Sequence, residues 1–205
     1  MVFFLIALAA VVLTAFFYRF LISPIVTEKY IREMLAVEGT DAPCAIPNIL
    51  RAFVPKKNIF TSLSLPIPGK EGEEILYGTV VVTGAGIFII SRICGSGLIE
   101  NPQSDVKWRF LSQGNVSEFL NPFKEQSAPR KLLSYYAESV GVKDVRVRTL
   151  VVYTDENLRF SEPITKGIIH ISELYRRMKK LSSRGKLSWK SIRAISAVLA
   201  EAGEV

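Results

Sequence analysis

Residues 75–90 run Ile75-Leu-Tyr-Gly-Thr-Val-Val-Val-Thr83, then Gly84-Ala-Gly86, then Ile87-Phe-Ile-Ile90. Two β-branched and aromatic runs joined by a glycine-bounded turn have the composition of a β-hairpin. The turn is not a phosphate loop. It lacks the Gly-x-x-x-x-Gly-Lys-Ser/Thr spacing and leads from strand to strand rather than into a helix. A strand of Ile75 to Thr83 paired with one of Ile87 to Arg92 is the nucleus from which the rest is read.

Upstream, Ile59 to Leu65 alternates apolar residues with Thr61, Ser62 and Ser64 and stops at Pro66 and Pro68. The following Gly69-Lys-Glu-Gly-Glu-Glu74 reads as a solvated polar loop. Further back, Asn48 is placed to cap a short helix carrying Ile49, Leu50 and Phe53, and Thr27 to Ala36 reads as another. Downstream, Gly95-Ser-Gly97 ends the hairpin. Leu98-Ile99 and Val106 to Leu111 are further strands, with Trp108 and Phe110 on one core-facing side. Asn121-Pro122 is a helix start, and 123–139 reads as one helix with Leu132, Leu133 and Tyr136 inward. Val145 to Tyr153 is a central strand and Gly167 to Ile171 a short one. Helices follow from Ser172 (Leu174, Tyr175, Met178, Leu181 apolar) and over Trp189 to Ala202. The last has an apolar stripe of Trp189, Ile192, Ile195, Val198 and Leu199. The pattern predicts an α/β or α+β sandwich, a mixed β-sheet flanked by helices.

The chain has 205 residues, 49% hydrophobic and 22% charged, too apolar to be disordered. The apolar surplus is concentrated in Val2 to Ile22, which holds no acid and one base, Arg19. As a helix this run would measure about 31 Å, matching a hydrocarbon core of ~30 Å. A cleaved signal peptide would bring a basic leader and a small-residue cleavage site, and a buried core helix would bring a polar face. Neither is present, so a retained transmembrane helix is expected. Arg19, Lys29 and Arg32 beyond it place the rest of the chain in the cytoplasm, as a single-pass protein of the cell membrane. Cys44 and Cys94 suit a reducing compartment as well as one bridge. With His170 the only histidine, a histidine-rich metal site is excluded.

From Ile59 to Leu181 the order of landmarks resembles the nuclease-related domain (NERD) family, whose fold is restriction-endonuclease-like, of the PD-(D/E)xK type. The landmarks are the proline-ended strand Ile59–Pro66, the hairpin, Gly97-Leu-Ile99, Trp108, Asn121-Pro-Phe-Lys-Glu-Gln126, the Val-Val-Tyr153 strand and the Leu174 helix. The resemblance implies an Ile-Asp-His-like motif on the first hairpin strand and Glu-x-Lys on the second. Aligned so, Gly78 stands in the Asp position, Thr79 in the His position, Ser91 in the Glu position and Ile93 in the Lys position. In this fold carboxylates hold a divalent metal that polarises the phosphoryl oxygen and lowers the pKa of the attacking water. Glycine, serine and isoleucine supply none of that. No catalytic residue and no cofactor are therefore expected, and the domain reads as a pseudoenzyme. The enzyme alternative is a divergent nuclease acting on DNA, with Mg2+ held by the nearby Glu73, Glu74, Glu100 or Asp105, and Lys107 beside them.

Eight bases lie between Arg176 and Arg193: Arg176, Arg177, Lys179, Lys180, Arg184, Lys186, Lys190 and Arg193, in a chain of net charge +7. No acid interrupts them. They suit anionic lipid beside a membrane, nucleic acid, an acidic protein surface, or simply a solvated face. Gln126 is read as structural, His170 as structural or merely exposed, and Cys94 as replacing nothing catalytic. The expected organisation is a transmembrane helix over 2–22, juxtamembrane helices and linker over 23–58, the nuclease-related domain over 59–181, and a basic amphipathic C-terminal helix over 182–205. The expected function is a membrane-anchored scaffold or regulatory binding module. A non-catalytic nucleic-acid-binding module using the basic segment is the further alternative.

Overall fold

A computed structural model describes residues 11–14, 29, 45–100, 106–163 and 167–203. The chain divides into two units, Met1–Ala42 and Pro43–Val205. The anchor expected over Val2 to Ile22 and the helix expected over Thr27 to Ala36 lie outside the described residues, apart from 11–14, helical and exposed, and residue 29. Among the described residues no helix is long and apolar enough to cross a membrane.

The second unit is mixed α/β. Strands β1 (Ile59–Pro66), β2 (Glu74–Thr83) and β3 (Gly86–Ile93) form an antiparallel meander. β7 (Val147–Tyr153) then pairs in parallel with β3, and β9 (Ile168–His170) in parallel with β7. This sheet has the order β1-β2-β3-β7-β9. The expected hairpin closes on a two-residue turn, Thr83 and Gly86 being its last pair. The Ala85 amide donates to Thr83 Oγ1 at 3.2 Å. Gly86 has φ +118°, and a Cβ there would collide with the Arg146 carbonyl, which accepts from the Ile87 amide at 3.0 Å. Only glycine fits so close an approach at that φ.

A second sheet was not legible in the chain. β4 (Gly97–Glu100), β5 (Lys107–Ser112), β6 (Asn115–Leu120) and β8 (Leu158–Phe160) pair in the order β6-β5-β4-β8. β6 and β8 are additions to the expected elements. Asn115 to Glu118 is exposed at every position, so it lacks the apolar alternation that marks a strand. β8 is only three residues long.

The helices differ from expectation at their starts. α1 (Ala45–Arg51) begins before Asn48, which therefore sits inside the helix and accepts from Arg51 at 3.3 Å. The helix expected over 123–139 is broken at Gln126 into α2 (Pro122–Glu125) and α3 (Ser127–Ser139). Asn121 caps α2, its side chain accepting from the Phe123 amide at 2.9 Å, with Pro122 opening the first turn. α4 (Leu174–Ser183) and α5 (Trp189–Gly203) complete the fold.

Two cores result. Leu63, Leu65, Val80, Val82, Ile87 and Ile89 pack with Leu132 and Leu133 of α3 and Ile195 and Leu199 of α5. The second core joins the sheets through Ile99, Trp108, Leu158, Val151 and Ile168. Trp108 is fully buried, its ring meeting Phe119 and Phe123 edge-on. α1 packs on β1 and on α4, where Phe53 meets Tyr175 at 5.6 Å. Of the α5 stripe, Ile195 and Leu199 are buried, whereas Trp189 stays 54% exposed with Lys57 Nζ 5.0 Å from its ring.

Candidate functional site

The β2–β3 register ends with Thr79 opposite Ile90, so Gly78 and Ser91 lie one step beyond the last pair. Ile93 follows Ser91 on one face of β3 two positions on. Gly78, Ser91 and Ile93 thus fall in the patch where the hairpin pairing ends. Across the parallel ladder Ser91 meets Val151 and Ile93 meets Tyr153, so the flanking neighbours are not acidic either.

Gly78 occupies a distortion. Ser62 of β1 has φ 57°, in the left-handed region. On either side of it, Thr61 pairs with Thr79 and Leu63 with Tyr77. The inward residues are Phe60, Val80 and Val82 above this point and Leu63, Leu65, Ile75 and Tyr77 below it, a switch from even to odd positions. One residue in the left-handed conformation reverses the pleat, and Gly78 is carried to an exposed position. A Cβ added there meets nothing within 4 Å. The helix beside the patch is tied to it by Tyr77, whose hydroxyl donates to the Pro129 carbonyl at 2.9 Å. Burial, and next the neighbouring Tyr136, push the Tyr77 phenol well above its ordinary range. Gln126 Oε1 and Thr149 Oγ1 are buried and find no hydrogen-bond partner among the described residues.

The acids considered as a displaced metal site are dispersed. Glu73 pairs with Lys70 at 2.7 Å, and Glu74 accepts from the Ser64 hydroxyl, both in the β1–β2 region. Glu100 belongs to the other sheet and pairs with Arg109 at 2.9 Å. Lys107 pairs with Glu118, and Asp105 lies outside the described residues. Among the described residues no group of three or more His, Cys, Asp or Glu is placed to hold a metal ion.

His170 Nδ1 lies 2.8 Å from Ser172 Oγ at the start of the 3-10 turn Ile171–Glu173, with its ring against Tyr153. Cys94 is an exposed free thiol, and Cys44 lies outside the described residues. The basic run is divided among three places. Arg176, Arg177, Lys179 and Lys180 are on α4, Lys190 and Arg193 on α5, and Arg184 and Lys186 in the connection between them. Lys179 turns back on Tyr175, 3.0 Å from its hydroxyl and 5.2 Å from its ring centre. Arg184 and Lys186 instead meet Lys143, Arg146 and Arg148, which sequence reading passed over because they are remote and scattered.

No known family, no curated protein and no solved structure matches this chain.

Proposed function

We infer that this chain is a membrane-anchored protein whose nuclease-related domain has given up metal-dependent hydrolysis and serves as a binding or scaffolding module on the cytoplasmic side. The patch of Gly78, Ser91 and Ile93 carries the reading. In a nuclease of the resembled type, carboxylates at the first two positions would have Cβ atoms about 5 Å apart, close enough to share one divalent ion. A lysine at the third would offset charge developing at the phosphate. Here the first position has no side chain, the second has one neutral hydroxyl, and the third is apolar. A water at this patch keeps its ordinary pKa and is no nucleophile near neutral pH. The mixed sheet supports the restriction-endonuclease-like reading, because the strands that carry these positions pair as one hairpin within it. The run from Val2 to Ile22 supports the anchor.

Purified full chain in detergent, incubated with single- and double-stranded DNA and Mg2+ or Mn2+, is expected to give no cleavage above a protein-free control. Turnover that depends on the metal and is abolished by Glu74→Gln or Glu100→Gln would overturn the reading in favour of a displaced nuclease site.

A further inference from the structure

At the turn end of the hairpin, three segments distant in sequence enclose a cleft of about 470 Å³. They are the β2–β3 turn Gly84–Gly86, the approach to β7 and the connection between α4 and α5. Five bases line it, Lys143, Arg146, Arg148, Arg184 and Lys186, against a single acid, Asp144. Among the described residues none of the five is in an ion pair. Gathering like charges without counter-ions opposes folding, so this arrangement is one that a bound anion would relieve.

The frame is built from backbone. The Leu187 amide donates to the Gly84 carbonyl at 2.9 Å and the Ile87 amide to the Arg146 carbonyl at 3.0 Å. Gly185 lies so close to Gly84 that a Cβ would collide with its carbonyl group. Arg148 is steadied over the Phe88 ring, 5.9 Å from its centre. A cleft whose walls are pinned to one another loses little freedom on binding.

We propose that this cleft binds a small anion carrying two or more phosphate groups, free in solution or as the headgroup of a lipid. Its volume is that of a small-molecule site. Three guanidinium groups supply the planar, two-pronged donors that match phosphate oxygens. A nucleic-acid strand fits less well. It needs a continuous basic track, whereas Lys190, Arg193 and the α4 bases do not line the cleft. The site stands independently of whether the emptied patch hydrolyses anything.

The test is calorimetric titration of the full chain in detergent with tripolyphosphate, beside flotation with vesicles containing a phosphoinositide bisphosphate and binding to single-stranded DNA. Tripolyphosphate should bind at roughly 10–100 µM. Arg146→Gln and Arg184→Gln, both at exposed positions, should each weaken it about tenfold, and Lys190→Gln should change it less than about twofold. Vesicle binding that adds to this and shares the Arg146 and Arg184 dependence assigns the lipid source, and its absence assigns a soluble ligand. Two results overturn the proposal. One is no binding of either phosphate probe. The other is binding indifferent to Arg146 and Arg184, including DNA binding lost instead with Lys190→Gln.

Discussion

Ser62 and Tyr77 lie beside Gly78, and each makes a prediction of its own. Ser62 holds a left-handed φ of 57°, which costs an L-residue about 1 kcal/mol that glycine does not incur. Ser62→Gly should therefore be neutral or stabilising by up to about 1 kcal/mol. Ser62→Pro, which forces φ to about −65°, should destabilise by ~3 kcal/mol or more, both read by urea titration. Tyr77 tests the pH dependence. The folded state keeps its phenolic proton after the unfolded chain releases it near 10.0, because burial disfavours the phenolate. The stability from this group is complete below about pH 10. It falls above that, towards the raised folded value, by ~1.4 kcal/mol per pH unit. Tyr77→Phe should be ~1 kcal/mol less stable near neutrality, having lost its bond to the Pro129 carbonyl. That deficit should close by about pH 11, so denaturation of both proteins at about pH 8 and about pH 11 measures the effect.

Among the elements, the hairpin was legible because Val80 to Val82 and Ile87 to Ile90 are buried without interruption, and the turn demanded glycine at 86. The second sheet was hidden because its outer strand β6 is almost wholly solvated and owes its place to pairing with β5 rather than to its own pattern. The break at Gln126 escaped the helical periodicity. Asn121 and Pro122 define one start, and the chain then restarts at Ser127 with Pro129 in the first turn. Asn121→Ala should cost about 1 kcal/mol through the lost cap, and Trp108→Ala, which empties the centre of the inter-sheet core, about 3–5 kcal/mol. If Trp108→Ala cost no more than Asn121→Ala in thermal or urea unfolding, the second core would not be the support described above.

For the molecule as a whole, the hairpin strands and the cationic cleft differed in how far the sequence could locate them. The strands that carry Gly78, Ser91 and Ile93 could be named in advance, because hairpin pairing is local and follows from the turn. The cationic cleft could not. Its residues come from segments separated by the β3–β7 crossover and by α4, and the run Arg176 to Arg193 drew attention to charges that the fold then distributes over α4, α5 and their connection. Charge density along the chain is a poor guide where the topology, and not the local sequence, decides which bases meet.

The proposal that Gly78 and Ser91 stand at ligand positions of the resembled fold is most directly probed by Mn2+ titration of the full chain and of the double variant Gly78→Asp, Ser91→Glu. The open space at Gly78 admits the new carboxylate, and both positions lie one step beyond the last pair of the β2–β3 register. The unaltered chain should show no Mn2+ bound at the hairpin, while the double variant should bind one ion at roughly millimolar affinity or tighter. Mn2+ held equally well by the unaltered chain, or no binding by a folded double variant, would contradict the account.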